Sequence, residues 1–366
     1  MNLENFPKLK IGELESKIPI IQGGMSVGIS LSVLAAAVAN EGGIGVIGTA
    51  GIGMLEPDFN TNYRGTNKRA LIKEIRKARE TTDGLIGVNI LVALSDSDDL
   101  ALVAVDEGAD LIFLGAGLPL KIPKTLPSDR IKKFFSKVVP IVSSQRATKI
   151  IFQYWAKEYN EVPNAVVVEG PLAGGHLGFK KEQIAHPDYA LEKILPEVIS
   201  EIKIFEKQFN KNIPVIAAGG IYTGADIYKF IKLGAAGVQM ATRFVATYEC
   251  DASVKFKEAF VRCTKEDIII IDSPVGMPGR AIKNKFLEDV SNGIRKPFKC
   301  PCRCLKTCEF REAPYCIALA LTNAKQGNIE EGFCFAGANA YRVDKILSVK
   351  ELIKILSEEY EKAAAE

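Results

Sequence analysis

Apolar residues, rich in valine and isoleucine, recur along the chain in eight short unbroken runs. Each run ends in a glycine or a polar residue, and a segment with helical spacing follows it. Unbroken hydrophobicity is typical of strands that are buried on both faces of a parallel sheet. Eight strand–helix units therefore predict an α/β protein with a TIM (β/α)8 barrel, and a doubly wound open sheet is the alternative that strand counting leaves open. The eight runs are residues 19–25, 44–49, 85–92, 111–116, 139–143, 165–169, 214–219 and 237–242.

Apolar positions between the runs repeat every three or four residues, as across residues 31–38, which predicts amphipathic helices. Thr223 is placed to cap the helix after the seventh run, because its hydroxyl can accept from a free backbone N–H of the first turn. Ser348 and Glu351 have the spacing of a capping box at the start of a last amphipathic helix.

The composition, with 47% apolar and 25% charged residues, is that of a soluble globular protein. The net charge is +3, and the chain has no block of five or more like charges. We therefore expect neither nucleic acid nor a membrane surface as a partner, and we expect a small-molecule substrate. The amino-terminal sequence lacks a basic stretch followed by an apolar one, which indicates a cytoplasmic protein. The oligomeric state stays open, with a homodimer as one option.

Small residues follow the seventh and eighth runs, where TIM barrels often bind a phosphate group. Gly219 and Gly220 end the seventh unit, and Ala241 and Thr242 end the eighth. Such residues let backbone N–H groups approach an anion. A tight turn made by the two glycines is the alternative, but the occurrence of small residues after both runs favours a phosphate.

Two earlier features indicate a flat, polar ligand. Gly24 precedes Met25 at the end of the first run, and Asn89 places an amide inside the apolar third run. A buried amide needs a partner, which is either the polar edge of a heteroaromatic ring or neighbouring backbone. A phosphate tail with a planar polar head describes FMN. No G-x-G-x-x-G motif with a later acidic residue supports a Rossmann dinucleotide site.

Five motifs, IPIIQGGM, GVNI, EGPLAGGHLG, IPVIAAGGI and QMATRF, occur in this order. With these spacings, roughly residues 15–290 resemble the nitronate monooxygenase (2-nitropropane dioxygenase) family of FMN-dependent TIM barrels, to which flavin-dependent enoyl-ACP reductases are closely related. The resemblance implies an FMN-dependent oxidoreductase, and specifically a nitronate monooxygenase that oxidises alkyl nitronates with O2 through the reduced flavin. The QGGM motif looks more like the reductases, because many monooxygenases have Ala-Pro-Met there.

The resemblance also implies which residues bind FMN. Glu169 lies where many nitronate monooxygenases have glutamine, so a carboxylate there implies a different hydrogen-bonding pattern. The residues expected at the phosphate are Gly219, Gly220, Ala241 and Thr242, with Gln239 and Met240 beside them, and those expected around the isoalloxazine are Gly24, Met25, Asn89, Glu169 and Gly174.

His176, in the AGGH part of the third motif, is the expected catalytic residue, because the histidine of this motif faces the substrate in the family. It would stabilise the anionic nitro group of a nitronate or take the α-proton of a nitroalkane, since imidazole titrates near neutral pH. His186, the other histidine, lies in a polar turn and is expected to be exposed or to cap a helix.

Six of the eight cysteines lie between Cys300 and Cys334, in the part of the chain beyond the barrel. We expect residues 1–290 to form the FMN-binding barrel, and residues 291–366 to form a cysteine-rich segment with helices that pack on it. Four thiolates can bind zinc or an iron–sulfur cluster, although the spacing matches neither common zinc pairs nor ferredoxin runs, and reduced thiols are the alternative. The candidate metal ligands are Cys300, Cys304, Cys308 and Cys316.

Two further functions stay open at this stage. An NAD(P)H-dependent enoyl-ACP reductase would act on an enoyl thioester in place of a nitronate. A non-catalytic flavin or metal electron carrier would depend on the cysteine cluster and not on His176.

Overall fold

In a computed structural model, which describes residues 6–366, the chain folds around a closed barrel of eight parallel strands. The strands are β1 (Leu9–Ile11), β2 (Leu14–Ser16), β3 (Ile20–Gln22), β4 (Ile44–Gly48), β5 (Leu85–Leu91), β6 (Leu111–Gly115), β7 (Val138–Val142), β8 (Val166–Glu169), β9 (Gly175–His176), β10 (Val215–Ala218), β11 (Gly237–Met240), β12 (Ile268–Asp272) and β13 (Pro278–Ile282). The helices are α1 (Ser32–Asn40), α2 (Phe59–Thr81), α3 (Ser97–Asp106), α4 (Ile131–Lys137), α5 (Gln145–Tyr159), α6 (Lys181–Ile184), α7 (Leu191–Phe209), α8 (Gly224–Lys232), α9 (Thr242–Val245), α10 (Val254–Arg262), α11 (Lys285–Ser291), α12 (Ile317–Lys325) and α13 (Val349–Ala365).

The barrel confirms the fold predicted from the apolar runs. Its strands follow the order β3-β4-β5-β6-β7-β8-β10-β11, and β11 pairs with β3 to close the circle, which excludes the open sheet. Seven of the eight predicted runs contain a barrel strand, and the run 139–143 overlaps β7, which begins at Val138. The hydrophobicity is unbroken because one face of each strand packs inside the barrel and the other packs against the helices.

A short hairpin closes the amino-terminal end of the barrel. Strands β1 and β2 pair antiparallel, and Leu9 and Ile11 join the interior cluster that also contains Ile21 and Val167. The barrel is therefore filled and blocked at this end. Only the opposite end, where the strands have their carboxyl termini, is available for a ligand.

A second sheet was not predicted from the sequence. Strands β12 and β13 form an antiparallel hairpin after the barrel, and β13 pairs with the two-residue strand β9 in the loop after β8. The four consecutive isoleucines of residues 268–271 were the available signal, but all four are only partly buried. The hairpin brings a late part of the chain to the mouth of the barrel.

The predicted helix caps are present. Thr223 Oγ1 accepts from the N–H of Asp226 at 3.1 Å, and Ser348 Oγ accepts from the N–H of Glu351 at 3.1 Å while the Glu351 carboxylate accepts from the Ser348 N–H at 2.8 Å. The last helix, α13, packs on α8 and α1 and adds Leu352 to the core that surrounds the barrel.

The division into residues 1–290 and 291–366 stays a prediction. Within residues 6–366, every helix is too short or too polar to cross a bilayer.

Candidate active site

A polar layer lies above the apolar interior at the open end of the barrel. Asn89, Glu169 and Gln239 come from β5, β8 and β11, and each is the last inward-facing polar position of its strand. Strand alternation gives this orientation, because residues two apart point to the same side of a sheet. In the apolar interior, Phe113 lies opposite Asn89 and Ala218 lies opposite Gln239, while Val167 lies two residues before Glu169 on the same strand.

Asn89 is 7% exposed, and its side-chain amide has no hydrogen-bond partner within residues 6–366. Gly24 lies directly against it, and a Cβ at Gly24 would overlap the side chain of Asn89. Gln22 shows the contrast, because its buried amide donates to Gly23 O at 2.6 Å and accepts from Val46 N at 2.9 Å. The alternative of an Asn89 satisfied by backbone is therefore not what the structure shows, and the free amide is available to a ligand.

Backbone N–H groups face the mouth after β10 and β11. Those of Gly219, Gly220, Ala241 and Thr242 donate to no backbone acceptor in the described part of the chain, and all four residues are partly exposed. Gly219 has φ +91°, and a Cβ there would lie 2.8 Å from the carbonyl oxygen of Gly170. Both the backbone conformation and the close approach require glycine. This arrangement suits an anion, as the sequence predicts.

Residues 335–339 of the tail also reach this region, which sequence reasoning missed. The Gly337 N–H donates to Thr242 Oγ1 at 3.1 Å, and Asn339 Nδ2 donates to the carbonyl oxygen of Gly220 at 2.7 Å. Gly174 packs against the backbone of Ala336 and Gly337. The run of small residues in FAGAN was the only signal. The tail therefore forms part of the mouth and does not only cover the outside of the barrel.

His176 lies on β9, where it pairs with Gly279 of β13. Its Nε2 is 2.7 Å from Ser273 Oγ, which belongs to the turn between β12 and β13. The ring of Phe335 packs edge-on against the imidazole, with 5.0 Å between ring centroids. Nδ1 has no partner within residues 6–366. The hairpin and the tail thus fix the ring and leave one nitrogen free.

Burial changes the protonation of two groups at the mouth. It lowers the pKa of His176 to about 4, so the imidazole is neutral at pH 7. This pKa lies below the near-neutral value of an ordinary imidazole, on which the prediction from the sequence relies. Burial raises the pKa of Glu169 to about 7, although part of this side chain is open to the mouth, where water limits the shift. Glu169 is thus the group that titrates near physiological pH.

Arg280, on β13, is the second residue that sequence reasoning missed. It is 5% exposed, and its Nη1 donates to the carbonyl oxygens of Pro171, at 2.7 Å, and Ala173. Within residues 6–366 no carboxylate forms an ion pair with it. Burial lowers its pKa to about 10, which still leaves the guanidinium charged at pH 7. This cation holds the loop that carries His176 and makes the region favourable to an anion.

Met25, Met240 and His186 are the remaining residues with a predicted position. Met25 lies at the mouth, where its N–H donates to Ser30 Oγ at 2.8 Å. The side chain of Met240 packs in the core between barrel and helices, and its carbonyl oxygen accepts from Gly23 N at 2.8 Å, so only its backbone is near the mouth. His186 is exposed, and its Nδ1 accepts from the Asp188 N–H at 3.3 Å, which confirms the capping role.

The candidate metal ligands lie together on the outside of the barrel mouth. Cys300, Cys304, Cys308 and Cys316 line a single cavity, whereas Cys302 points to the carbonyl oxygen of Phe59, 3.8 Å away. All eight cysteines are free thiols. In residues 6–366 no three cysteine, histidine or acidic side chains converge closely enough to hold one metal ion.

The closed parallel barrel, with its polar layer and free backbone N–H groups at one end, defines a TIM-barrel enzyme that acts at the carboxyl ends of its strands. The nitronate monooxygenase family profile matches residues 8–359. The chain therefore belongs to the nitronate monooxygenase family.

Relatives and solved structures agree with this assignment. A probable nitronate monooxygenase of Staphylococcus aureus is 30% identical over 304 residues, covering 76% of this chain and 79% of its own. FabK from Thermotoga maritima is similar in structure with a TM-score of 0.70 and 28% identity, covering 95% of this chain and 94% of its own. A Mycobacterium tuberculosis 5-hydroxy-7a-methyl-1-oxo-octahydro-1H-indene-4-carboxyl-CoA dehydrogenase is 26% identical over 277 residues, or 76% of this chain and 66% of its own.

These similarities show that the chain is an enzyme and that it is a flavin-dependent oxidoreductase. The hypothesis of a non-catalytic carrier is accordingly wrong.

Proposed function

We propose that the flavin is FMN and that it is held across the mouth of the barrel. The observation that supports a single terminal phosphate is the set of four free N–H groups at Gly219, Gly220, Ala241 and Thr242. The partnerless amide of Asn89 and the close approach permitted by Gly24 fit a flat ring with a polar edge. The other side chains and backbone groups that would surround the ring are Met25, Glu169, Gly174, Gln239 and the backbone of Met240.

FMN, when bound, supplies two-electron oxidation of the substrate and reaction with O2. The substrate we propose is an alkyl nitronate, and the function is that of a nitronate monooxygenase. The observation that carries this choice is the charge at the mouth, where the buried cation Arg280 lacks a carboxylate partner and the loop it holds carries His176. An anionic substrate would gain from this positive charge.

His176 would then orient the nitronate with its free ring nitrogen. Because the imidazole is neutral at pH 7, it acts as a hydrogen-bond donor or acceptor and not as a cation. The arrangement we infer has the Ser273 hydroxyl donating to Nε2, which leaves the ring proton on Nδ1. Nδ1–H would donate to a nitro oxygen, and the positive charge for that anion comes from Arg280.

Oxygen uptake tests this function. The purified holoenzyme should consume O2 when an alkyl nitronate is added without NAD(P)H. Absence of nitronate-dependent uptake, from a preparation with a full complement of flavin, would contradict the proposal.

A second candidate is reduction or oxidation of an acyl thioester. One observation favours it, namely the similarity to the M. tuberculosis dehydrogenase, whose name gives a CoA thioester as its substrate. This function predicts NAD(P)H-dependent reduction of an enoyl thioester under anaerobic conditions, with no requirement for O2. The two assays, run on one preparation, separate the candidates.

A further inference from the structure

The cavity lined by four cysteines lies in residues 292–316, a segment that contains neither helix nor strand. The thiols come at spacings of three, three and seven intervening residues. Phe298, Leu305, Phe310 and Ile317 supply apolar walls around them. A cavity with apolar walls and four thiols is chemically suited to a thiolate-bound inorganic group.

The arrangement of the thiols favours a group larger than one ion. A single zinc needs its sulfurs to converge at about 2.3 Å from one point, and no three of the candidate side chains within residues 6–366 do so. A polynuclear cluster takes its four thiolates from a wider cage, so thiols that line one cavity without converging on a point fit a cluster better than they fit zinc.

The cysteine segment is fixed to the barrel on one side. Ser95 N–H donates to the carbonyl oxygen of Cys304 at 2.9 Å, and Lys306 N–H donates to that of Ala93 at 2.9 Å. Lys306 Nζ also donates to Val92 O at 2.9 Å. These contacts place the segment on the loop after β5, the strand that carries Asn89, and so beside the mouth of the barrel.

Charge complements a thiolate cluster in this segment. Residues 295–316 contain six lysines and arginines and two glutamates, so their net charge of +4 exceeds that of the whole chain, +3. Arg303 lines the cavity itself. Four thiolates around a cluster core carry net negative charge, which nearby cations and a partly buried site stabilise.

An aromatic contact path joins this region to the active site. Tyr315, which precedes Cys316, packs on Phe333 with 5.9 Å between centroids, and Phe333 packs on Phe335 at 5.1 Å. Phe335 in turn contacts His176. The cavity is therefore part of the structure that supports the mouth and not an isolated surface feature.

We propose that Cys300, Cys304, Cys308 and Cys316 bind a [4Fe–4S] cluster. The assignment is independent of whether the enzyme acts on a nitronate, because it concerns only these thiols and their surroundings. Cys302 lies within the same segment but outside the cavity lining, and it provides a matched control.

The test is the metal and sulfide content of holoenzyme purified without oxygen. We expect about four iron and four acid-labile sulfide ions per chain, little zinc, and an electron paramagnetic resonance signal after reduction. Cys304→Ser and Cys316→Ser should lose most of the iron and sulfide, whereas Cys302→Ser should keep them. Circular dichroism of each variant shows whether it is folded.

Three results would overturn the assignment. They are one zinc per chain without sulfide, absence of iron from wild-type protein even after anaerobic reconstitution with iron and sulfide, and equal loss of iron from Cys302→Ser and Cys304→Ser. The wild-type stoichiometry decides the question even if a cysteine variant fails to fold.

Discussion

His176 Nε2 and Ser273 Oγ lie 2.7 Å apart, although the two residues are 97 positions apart in the chain. The contact exists because β13 pairs with β9 and brings the turn after β12 to the imidazole. It orients the imidazole, and when Ser273 donates to Nε2 the ring proton lies on Nδ1, which can then donate to a substrate. Ser273 is thus a positioning residue for His176.

Ser273→Ala should lower kcat about tenfold, which corresponds to about 1.4 kcal/mol in the barrier. The physical reason is that the imidazole loses the hydrogen bond that orients it, while the flavin contacts are untouched. Steady-state kinetics and the flavin content of the purified variant measure this. Ser273→Thr keeps the hydroxyl and should recover most of the rate. Equal damage in both variants would show that Ser273 only shapes the turn.

Glu169→Gln should remove the part of the pH dependence of the unfolding free energy that ionisation of Glu169 causes. Burial raises the pKa of Glu169 from 4.5 to about 7, so between these values the folded chain holds a proton that the unfolded chain releases. Glu169 therefore contributes a loss of stability as pH rises from about 4.5 to 7, by up to roughly 2–3 kcal/mol. The lowered pKa of His176 acts in the opposite direction in both proteins, so the difference between wild type and Glu169→Gln isolates the contribution of Glu169. Urea unfolding of both flavin-free proteins at pH 5 and pH 8 tests this, and a variant with the same pH dependence as wild type would disprove the shift.

Asn89→Ala should weaken FMN binding without destabilising the flavin-free protein. The amide has no protein partner to lose, so we expect a flavin Kd about tenfold higher and a change of less than about 1 kcal/mol in unfolding free energy. Gln22→Ala is the matched control, because its amide makes two buried hydrogen bonds and its loss should destabilise the fold by about 2 kcal/mol. A strongly destabilised Asn89→Ala would mean that the amide is structural.

Gly219→Ala should reduce flavin retention to a small fraction of the wild-type level. The new methyl group would lie 2.8 Å from Gly170 O at a φ of +91°, and the phosphate loop would have to move. Gly108→Ala imposes a similar φ, +76°, where nothing lies within 4 Å, and it controls for backbone strain alone. Equal flavin content in the two variants would remove Gly219 from the phosphate site.

The barrel could be predicted because its signal is local. Each of the eight strands is a short apolar run, and burial on both faces makes that run visible without knowledge of its neighbours. The caps at Thr223 and Ser348 are local for the same reason. Glycines after two barrel strands likewise indicate a place where backbone can approach a ligand.

The rest of the site depends on contacts between distant parts of the chain. Ser273 and Arg280 reach the loop of His176 only because a two-residue strand pairs with a late hairpin, and such a strand has no sequence pattern. Phe335 and the hairpin bury His176 and lower its pKa, an effect that the ordinary pKa of imidazole, the only guide in the sequence, does not include.

The most direct test is nitronate-dependent oxygen consumption by wild type and by His176→Ala, each adjusted to the same content of bound flavin. We expect rapid uptake by wild type, and a kcat/KM at least a hundredfold lower in His176→Ala although its flavin is retained. Equal rates in the two proteins, or no nitronate-dependent uptake by the flavin-loaded wild type, would contradict the proposed reaction and the role of His176.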